Sequence, residues 1–222
     1  MISSSLFAYT DIFDTDQSGY YLEAGYDITK PARFLNEFSV GYTFQNGLGV
    51  NLRFAYETYS LMPFIGPSFQ LWNLHEGVEI VYPLLKQKER SMPISLFMSM
   101  AYDLNSFEMI FQAPENSDYS YAHSVSFGIG ISRRIHLMKN LKFIPSLSVN
   151  VVNNTNIWAD GTLRNYTVPA FWGQIALMGK ILYTYADFGY EPTFGNVSMF
   201  SGSQFSTHLG IGFIIPNKKS KR

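Results

Sequence analysis

From residue 20 onward the chain alternates apolar and polar side chains with a period of two, over about ten stretches. In an antiparallel sheet that period sends successive side chains to opposite faces, so each stretch is expected to be a strand with one apolar and one polar face. The first sets Tyr20, Leu22, Ala24, Tyr26 and Ile28 against Tyr21, Glu23, Gly25 and Asp27. The second sets Phe38, Val40, Tyr42 and Phe44 against Glu37, Ser39, Gly41 and Thr43. The third sets Val50, Leu52, Phe54 and Tyr56 against Asn51, Arg53, Ala55 and Glu57, and Gln45-Asn46-Gly47 between these two reads as a hairpin turn. A fourth, near 71 to 82, has Glu76 interrupting its apolar face. The cleanest alternation lies in the fifth, with Leu96 and Met98 against Ser95 and Ser99, and the sixth, with Phe127 and Ile129 against Ser126 and Gly128. In the seventh, Leu147, Val149 and Val151 oppose Ser146, Ser148 and Asn150, and Pro145 is expected to mark a bulge because it lacks a ladder donor. Two less regular stretches, about 168 to 178 and 181 to 190, precede a tenth in which Phe205, Leu209, Ile211 and Phe213 alternate with Ser206, His208, Gly210 and Gly212.

The connections alternate in length. Gln45 to Gly47, Leu85 to Ser91, His136 to Asn140 and Gly179 to Lys180 are short, whereas 61 to 70, 105 to 119, 154 to 167 and 191 to 203 are long. Only the first, Thr29 to Arg33, is short where a long one is due. An even strand number with short turns at one end and long loops at the other is the plan of a bacterial outer-membrane barrel, whose termini both lie at the short-turn end.

Composition decides which way the faces point. Aromatic residues make up 17% and charged residues only 15% of the 222 residues, against roughly 25% charge in average soluble domains. Stretches of about 10 to 13 residues match a tilted bilayer crossing of roughly 9 to 11 better than soluble strands of roughly 5 or 6. The polar face is rich in Gly, Ser and Ala, which suits a narrow lumen, and Tyr20, Tyr42, Phe44, Trp72, Tyr82, Tyr102, Tyr121 and Tyr190 gather near stretch ends as an interfacial girdle requires. The alternative, a soluble β core such as a lipocalin, lacks the Gly-x-Trp opening of that class. No run of about 18 apolar residues is present, so a spanning helix is excluded and a membrane reading requires a closed sheet.

On strand pattern, strand length and loop asymmetry, residues 18 to 215 resemble the small outer-membrane barrels, a class that includes the OmpA-like, Opc-like and omptin-like proteins. The expected architecture is all-β, a closed antiparallel up-and-down transmembrane β-barrel of about 10 strands. Residues 1 to 17 form an N-terminal periplasmic segment, 18 to 216 the barrel, and 217 to 222 a basic tail. The opening MISSSLFAYTDIFDTDQ has no basic n-region, long apolar core or Ala-x-Ala site, so it does not read as a secretion signal. The resemblance implies a bacterial outer membrane, with membrane lipids including lipopolysaccharide as partners, and protein partners at the extracellular loops or periplasmic termini.

Candidate chemistry is confined to the polar face. Glu23, Asp27, Glu37, Arg53, Glu57 and Glu79 have lumen parity, as do Asp103, Arg134, Lys142 and Asp187. A low-dielectric lumen forces such charges to pair, and Arg53 is expected to reach at least one of Glu23, Glu37 and Glu57. That network reads either as a gate or as a static polar plug. His75, His123, His136 and His208 lack the spacing of a zinc site, so no metal and no cofactor are expected. Ser206 and His208 share the polar face but do not match the His-x-Ser order of the lipid A deacylases, and two residues do not define a triad. Asp11, Asp14 and Asp16 lack the Gly and terminal Glu of a calcium loop. The net charge of −1 argues against a nucleic-acid partner. The expected role is therefore structural or adhesive, through the long loops, rather than enzymatic. A narrow pore and a lipid- or peptide-hydrolysing barrel are the alternatives.

Overall fold

The computed structural model describes residues 18–27, 34–61, 69–88, 93–111, 117–157, 161, 163–191 and 204–217. The strands in chain order are β1 (Gly19–Asp27), β2 (Phe34–Thr43), β3 (Gly49–Leu61), β4 (Phe69–Leu85), β5 (Ser95–Phe111), β6 (Ser117–Ser132), β7 (Ile135–Met138), β8 (Leu141–Ile157), β9 (Leu163–Met178), β10 (Leu182–Glu191) and β11 (Gln204–Pro216). Consecutive strands pair antiparallel except β6 and β7, which both pair with β8, and β11 pairs with β1 to close the sheet. Closure is what allows such a sheet to sit in hydrocarbon, because it leaves no edge of unpaired backbone groups.

β6 and β7 form one barrel strand, which makes the circuit one of ten. Both pair with β8, and the register is the same on either side of the break: Ser132 faces Ser146 and Ile135 faces Phe143. The residues on β8 that fall opposite the gap are Ile144, facing Arg134, and, facing Arg133, Pro145. It has no N–H to donate to β6, although its carbonyl still accepts from Arg133 N at 3.0 Å. The expected bulge at Pro145 therefore does not form on its own strand, which pairs regularly with β9 through Pro145 and Ile175. The proline interrupts the neighbour instead. Register shifts occur elsewhere, between Pro83 and Leu85 and between His136 and Met138.

The stagger of the barrel can be read by walking around it both ways from Glu23. One way, paired partners run Ser39, Arg53, Gly77, Asp103, Ser124 and Asn154. The other way they run Gly212, Tyr183, Met178 and Lys142. The two walks arrive on β8 at Asn154 and Lys142, which differ by 154 − 142 = 12 residues. With roughly 3.3 Å per residue and roughly 4.8 Å between strands, a stagger of 12 over ten strands tilts them about 40° from the barrel axis.

Two of the expected long loops are mostly strand. Pairing of β5 with β6 continues to Ile110 and Ser117, and that of β8 with β9 to Ile157 and Leu163. Only 112–116 and 158–162 remain as connections, in place of 105–119 and 154–167. Alternation fades there because both faces carry Asn, Ser and Thr, yet the backbone ladder does not depend on which side chains it bears. Residues 62–68 and 192–203 lie outside the described residues, as do 28–33 and the basic tail beyond 217.

The faces divide as the alternation predicts. Phe127 and Ile129 are 55% and 52% exposed while Ser126 and Ser99 are 2% and 5% exposed. Leu52, Ile80, Met98, Val151, Leu177, Leu209 and Ile211 are also exposed, so an apolar band runs round the whole circuit. A continuous band of that size is incompatible with an aqueous surface and marks a membrane-spanning wall. Aromatic clusters border it. Tyr42 packs against Tyr20 and Phe44 at 4.7 and 4.8 Å near the turn end, and Tyr190 against Phe205 and Phe171 at 4.8 and 6.4 Å near the opposite end. The side chain of Trp72, also expected in the girdle, lies outside the described residues.

Replacing Ile129 by Arg is expected to lower the unfolding free energy by roughly 2 to 4 kcal/mol in a urea titration in lipid vesicles, because the charge must enter the apolar band. Ile129→Val should cost well under half of that, and equal costs would mean that this face does not meet lipid.

Candidate functional site

Large inward side chains pack against glycines of the neighbouring strands. Tyr21 lies opposite Gly41, Phe97 opposite Gly130, Trp172 opposite Gly189, Tyr183 opposite Gly212 and Tyr185 opposite Gly210. In each pair the inward ring covers the partner glycine so closely that a Cβ there would overlap it. The rings are held flat against the wall, and the glycine's lost packing is recovered by the ring. Toward the turn end Tyr21, Ile144, Ala176, Met178, Tyr183, Tyr185 and Ile214 form a buried apolar plug contributed by β1, β8, β9, β10 and β11. A second buried group, Ala101, Val152, Val168, Ala170 and Trp172, lines the wall between β5 and β9.

Charged groups are buried in the same lumen. Glu23, Glu37, Arg53, His75, Glu79, Asp103, Asp187 and His208 are all below one-tenth exposed. Glu23 accepts hydrogen bonds from Ser39 Oγ at 2.7 Å and from the Tyr183 hydroxyl, so it ties β1 to β2 and reaches the plug. Glu37 Oε2 stands 4.0 Å from His208 Nδ1, and Tyr21 and Thr43 hydroxyls bond at 2.8 Å. Glu79 stands opposite Asn51 on one side and Ala101 on the other.

Arg53 forms a salt bridge with Asp103, Nη2 to Oδ1 at 2.8 Å, across 50 positions of sequence. The sequence expectation named Glu23, Glu37 and Glu57 and not this partner, which is reached for a geometric reason. Arg53 on β3 is registered with Gly77 on β4, which is registered with Asp103 on β5. The missing side chain at Gly77 opens a path across the intervening strand: a Cβ there would collide with Asp103 Oδ1 and approach Arg53 Nη2 to 3.3 Å. A glycine between His75 and Glu79 on an otherwise polar face was the available signal, legible only once the register was known. Of the other expected members, Asp27 ends β1 opposite His208 and Glu57 faces Asn73 on β4, but both side chains lie outside the described residues.

The arrangement immobilises charge. Among the described residues no three His, Asp or Glu side chains are grouped as a metal ion would need. Ser206 is half-buried and His208 fully buried on the inward face of β11, and His208 is registered with Asp187 and Asp27.

No protein-family model matches the chain, and no curated protein sequence matches it. Similarity to solved structures is extensive in coverage and low in identity. The β domain of the Bordetella autotransporter BrkA shares 11% identity and a TM-score of 0.51, with 90% of this chain and 100% of that chain covered. The transport unit of the autotransporter AIDA-I from Escherichia coli shares 11% identity at a TM-score of 0.50, with 95% and 93% covered. The NanC porin, also 11% identical, has a TM-score of 0.42 with 87% and 98% covered. At these identities the likeness is one of fold, and that fold is the outer-membrane type of β-barrel.

Arg53→Ala leaves Asp103 buried without its guanidinium and is expected to cost roughly 3 to 5 kcal/mol of barrel stability. Gly77→Ala should destabilise through the same pair, so the two changes together should cost clearly less than their sum. Strict additivity in a vesicle unfolding titration would show that Gly77 does not serve the Arg53–Asp103 bridge.

Proposed function

We propose that the protein is a sealed barrel of a bacterial outer membrane, with a structural or surface-interaction role carried by the hairpins it holds beyond the bilayer rather than by its lumen. The observation that carries this reading is the plug of Tyr21, Ile144, Met178, Tyr183, Tyr185 and Ile214 beneath a hydrogen-bonded polar layer. Ions crossing there would need a hydrated path, and large apolar side chains in contact with one another oppose wetting. The extended pairing of β5 with β6 and of β8 with β9 supports the same reading, since it gives stiff projections of the kind an interaction surface uses. A static, paired polar interior is what a barrel needs to be stable when it carries nothing.

The hydrolase alternative is weakened by where its candidate residue sits. His208 is 1% exposed inside the lumen, whereas an enzyme acting on membrane lipid needs its base where an acyl chain can reach.

In planar bilayers the refolded protein should show no stepwise ion conductance. The chain has no native cysteine, so single cysteines report cleanly: on whole cells an impermeant thiol reagent should label Gly161→Cys, in the β8–β9 connection, and leave Lys139→Cys at the other end unlabelled. Steady conductance would overturn the sealed reading, and equal labelling would overturn the orientation.

A further inference from the structure

Charge is distributed unevenly around the end that carries the turns and termini. The β4–β5 connection bears Lys86 and Lys88, the β6–β7 break bears Arg133 and Arg134, the β7–β8 turn bears Lys139, and the β9–β10 turn bears Lys180. Among the described residues no Asp or Glu lies at this end; Glu89 and Arg90 of the β4–β5 connection are outside them. Among the described residues the rest of the rim is neutral: the β2–β3 turn is Phe44-Gln45-Asn46-Gly47-Leu48, and the described ends of the chain are Ser18 and Asn217, with the basic tail outside them. The cations therefore occupy one arc, from β4 to β10.

The fold holds these like charges together. Gln87 donates Nε2 to the Arg134 carbonyl at 2.9 Å and accepts from the Arg134 amide with Oε1 at 2.6 Å, while its own amide donates to Ser95 Oγ at 2.9 Å. The Arg134 amide and carbonyl are open to Gln87 because they point away from β8, on the side where the pairing of β5 with β6 has ended at Ser95 and Ser132. The connection carrying Lys86 and Lys88 is thereby pinned against the break carrying Arg133 and Arg134. On the next pair of strands His136 faces Lys142 directly. Gathering cations in this way raises the local positive potential, which favours anionic groups nearby.

The same arc is apolar between its charges. Met138 is 70% and Ile181 63% exposed, and Leu85 and Leu137 are exposed as well. Met138 adjoins Lys139, Ile181 adjoins Lys180, and Leu85 adjoins Lys86 in sequence. Apolar side chains immediately beneath cations match the boundary where acyl chains give way to headgroups, with lysine and arginine stems lying along the hydrocarbon and their charged ends at phosphate depth.

We infer that the β4-to-β10 arc of the turn-end rim is a binding surface for anionic phospholipid, the headgroups of net negative charge in the leaflet that this rim reaches. The orientation proposed above identifies that leaflet as the periplasmic one; the chemistry of the arc does not depend on whether the lumen conducts. Headgroup phosphates bridge neighbouring cations that the fold brings together, and the acyl chains cover Leu85, Leu137, Met138 and Ile181. An acidic periplasmic protein or polymer would use the cations but has no need of the apolar residues beneath them.

The test is native mass spectrometry of the refolded protein from vesicles of equal parts phosphatidylglycerol and phosphatidylcholine, counting the lipids retained. Retained phosphatidylglycerol should exceed phosphatidylcholine by roughly fivefold, the ratio that one cation near an anionic surface supplies, and the excess should fall with added salt. In the variant Lys88→Gln, Arg133→Gln, Lys139→Gln, Lys180→Gln the ratio should approach one, with folding verified by the shift in gel migration on boiling. No preference in the parent overturns the inference. So does a preference that survives in the folded variant. If the fourfold variant does not fold, Lys139→Gln, Lys180→Gln, which alters only turn residues, should lower the ratio part of the way, and an unchanged ratio overturns it equally. Bilayer conductance reads the sealed-lumen proposal separately, so failure of either can be told from failure of the other.

Discussion

The pairing of β1 with β11 is the contact on which the rest depends. A sheet in hydrocarbon cannot leave a strand edge unpaired, because each orphaned amide or carbonyl there costs several kcal/mol with no water to compensate. Once the edges must meet, strand number and stagger set the wall's tilt and the width of its interior. Ten strands at a stagger of 12 enclose a space that inward side chains can fill. The lumen's contents are thus a consequence of closure, and residues of inward parity share one compartment.

Two packing rules reconcile that compartment with a polar face. Large rings lie flat over glycines on the adjacent strand, as Tyr183 does over Gly212 and Trp172 over Gly189, so bulk is placed along the wall. Glu23 takes its partners from the residues that the register brings near, Ser39 and Tyr183. The Arg53–Asp103 bridge combines both, since its path across β4 exists only because Gly77 has no side chain. Pro145 acts in the opposite sense. By withholding one donor it interrupts the ladder between β6 and β7, and within that break the Arg134 backbone, turned away from β8, holds the β4–β5 connection through Gln87. A small local absence is used in each case to make a long-range contact.

The two ends of the barrel therefore differ in more than connection length. The turn end gathers exposed cations and apolar side chains on one arc and tilted and edge-on aromatics around Tyr42 on another. The opposite end carries its pairing outward past the apolar band, where Asn153 bonds Thr167 across β8 and β9 at 2.9 Å. Both patterns follow from solvent: hydrocarbon demands alternation, the interface rewards aromatic and basic groups, and water beyond it accepts either face.

The strand count, the direction of each face and the transmembrane class were legible in the sequence, because period-two alternation is a local property and hydrocarbon enforces it on every strand. Ile129 and Ser126 could be assigned to opposite sides from their neighbours alone. Register, and everything that depends on it, was decided only by the tertiary structure. Alternation repeats every two residues, so it cannot distinguish one in-phase register from the next. Arg53 could therefore be given the right face while its bridge to Asp103 went unnamed, and Pro145 be given a bulge on its own strand when its effect fell on the strand beside it. The loops between β5 and β6 and between β8 and β9 were overestimated for a related reason: side-chain pattern reports the solvent around a strand, whereas the hydrogen bonds that extend it are made by a backbone common to all residues.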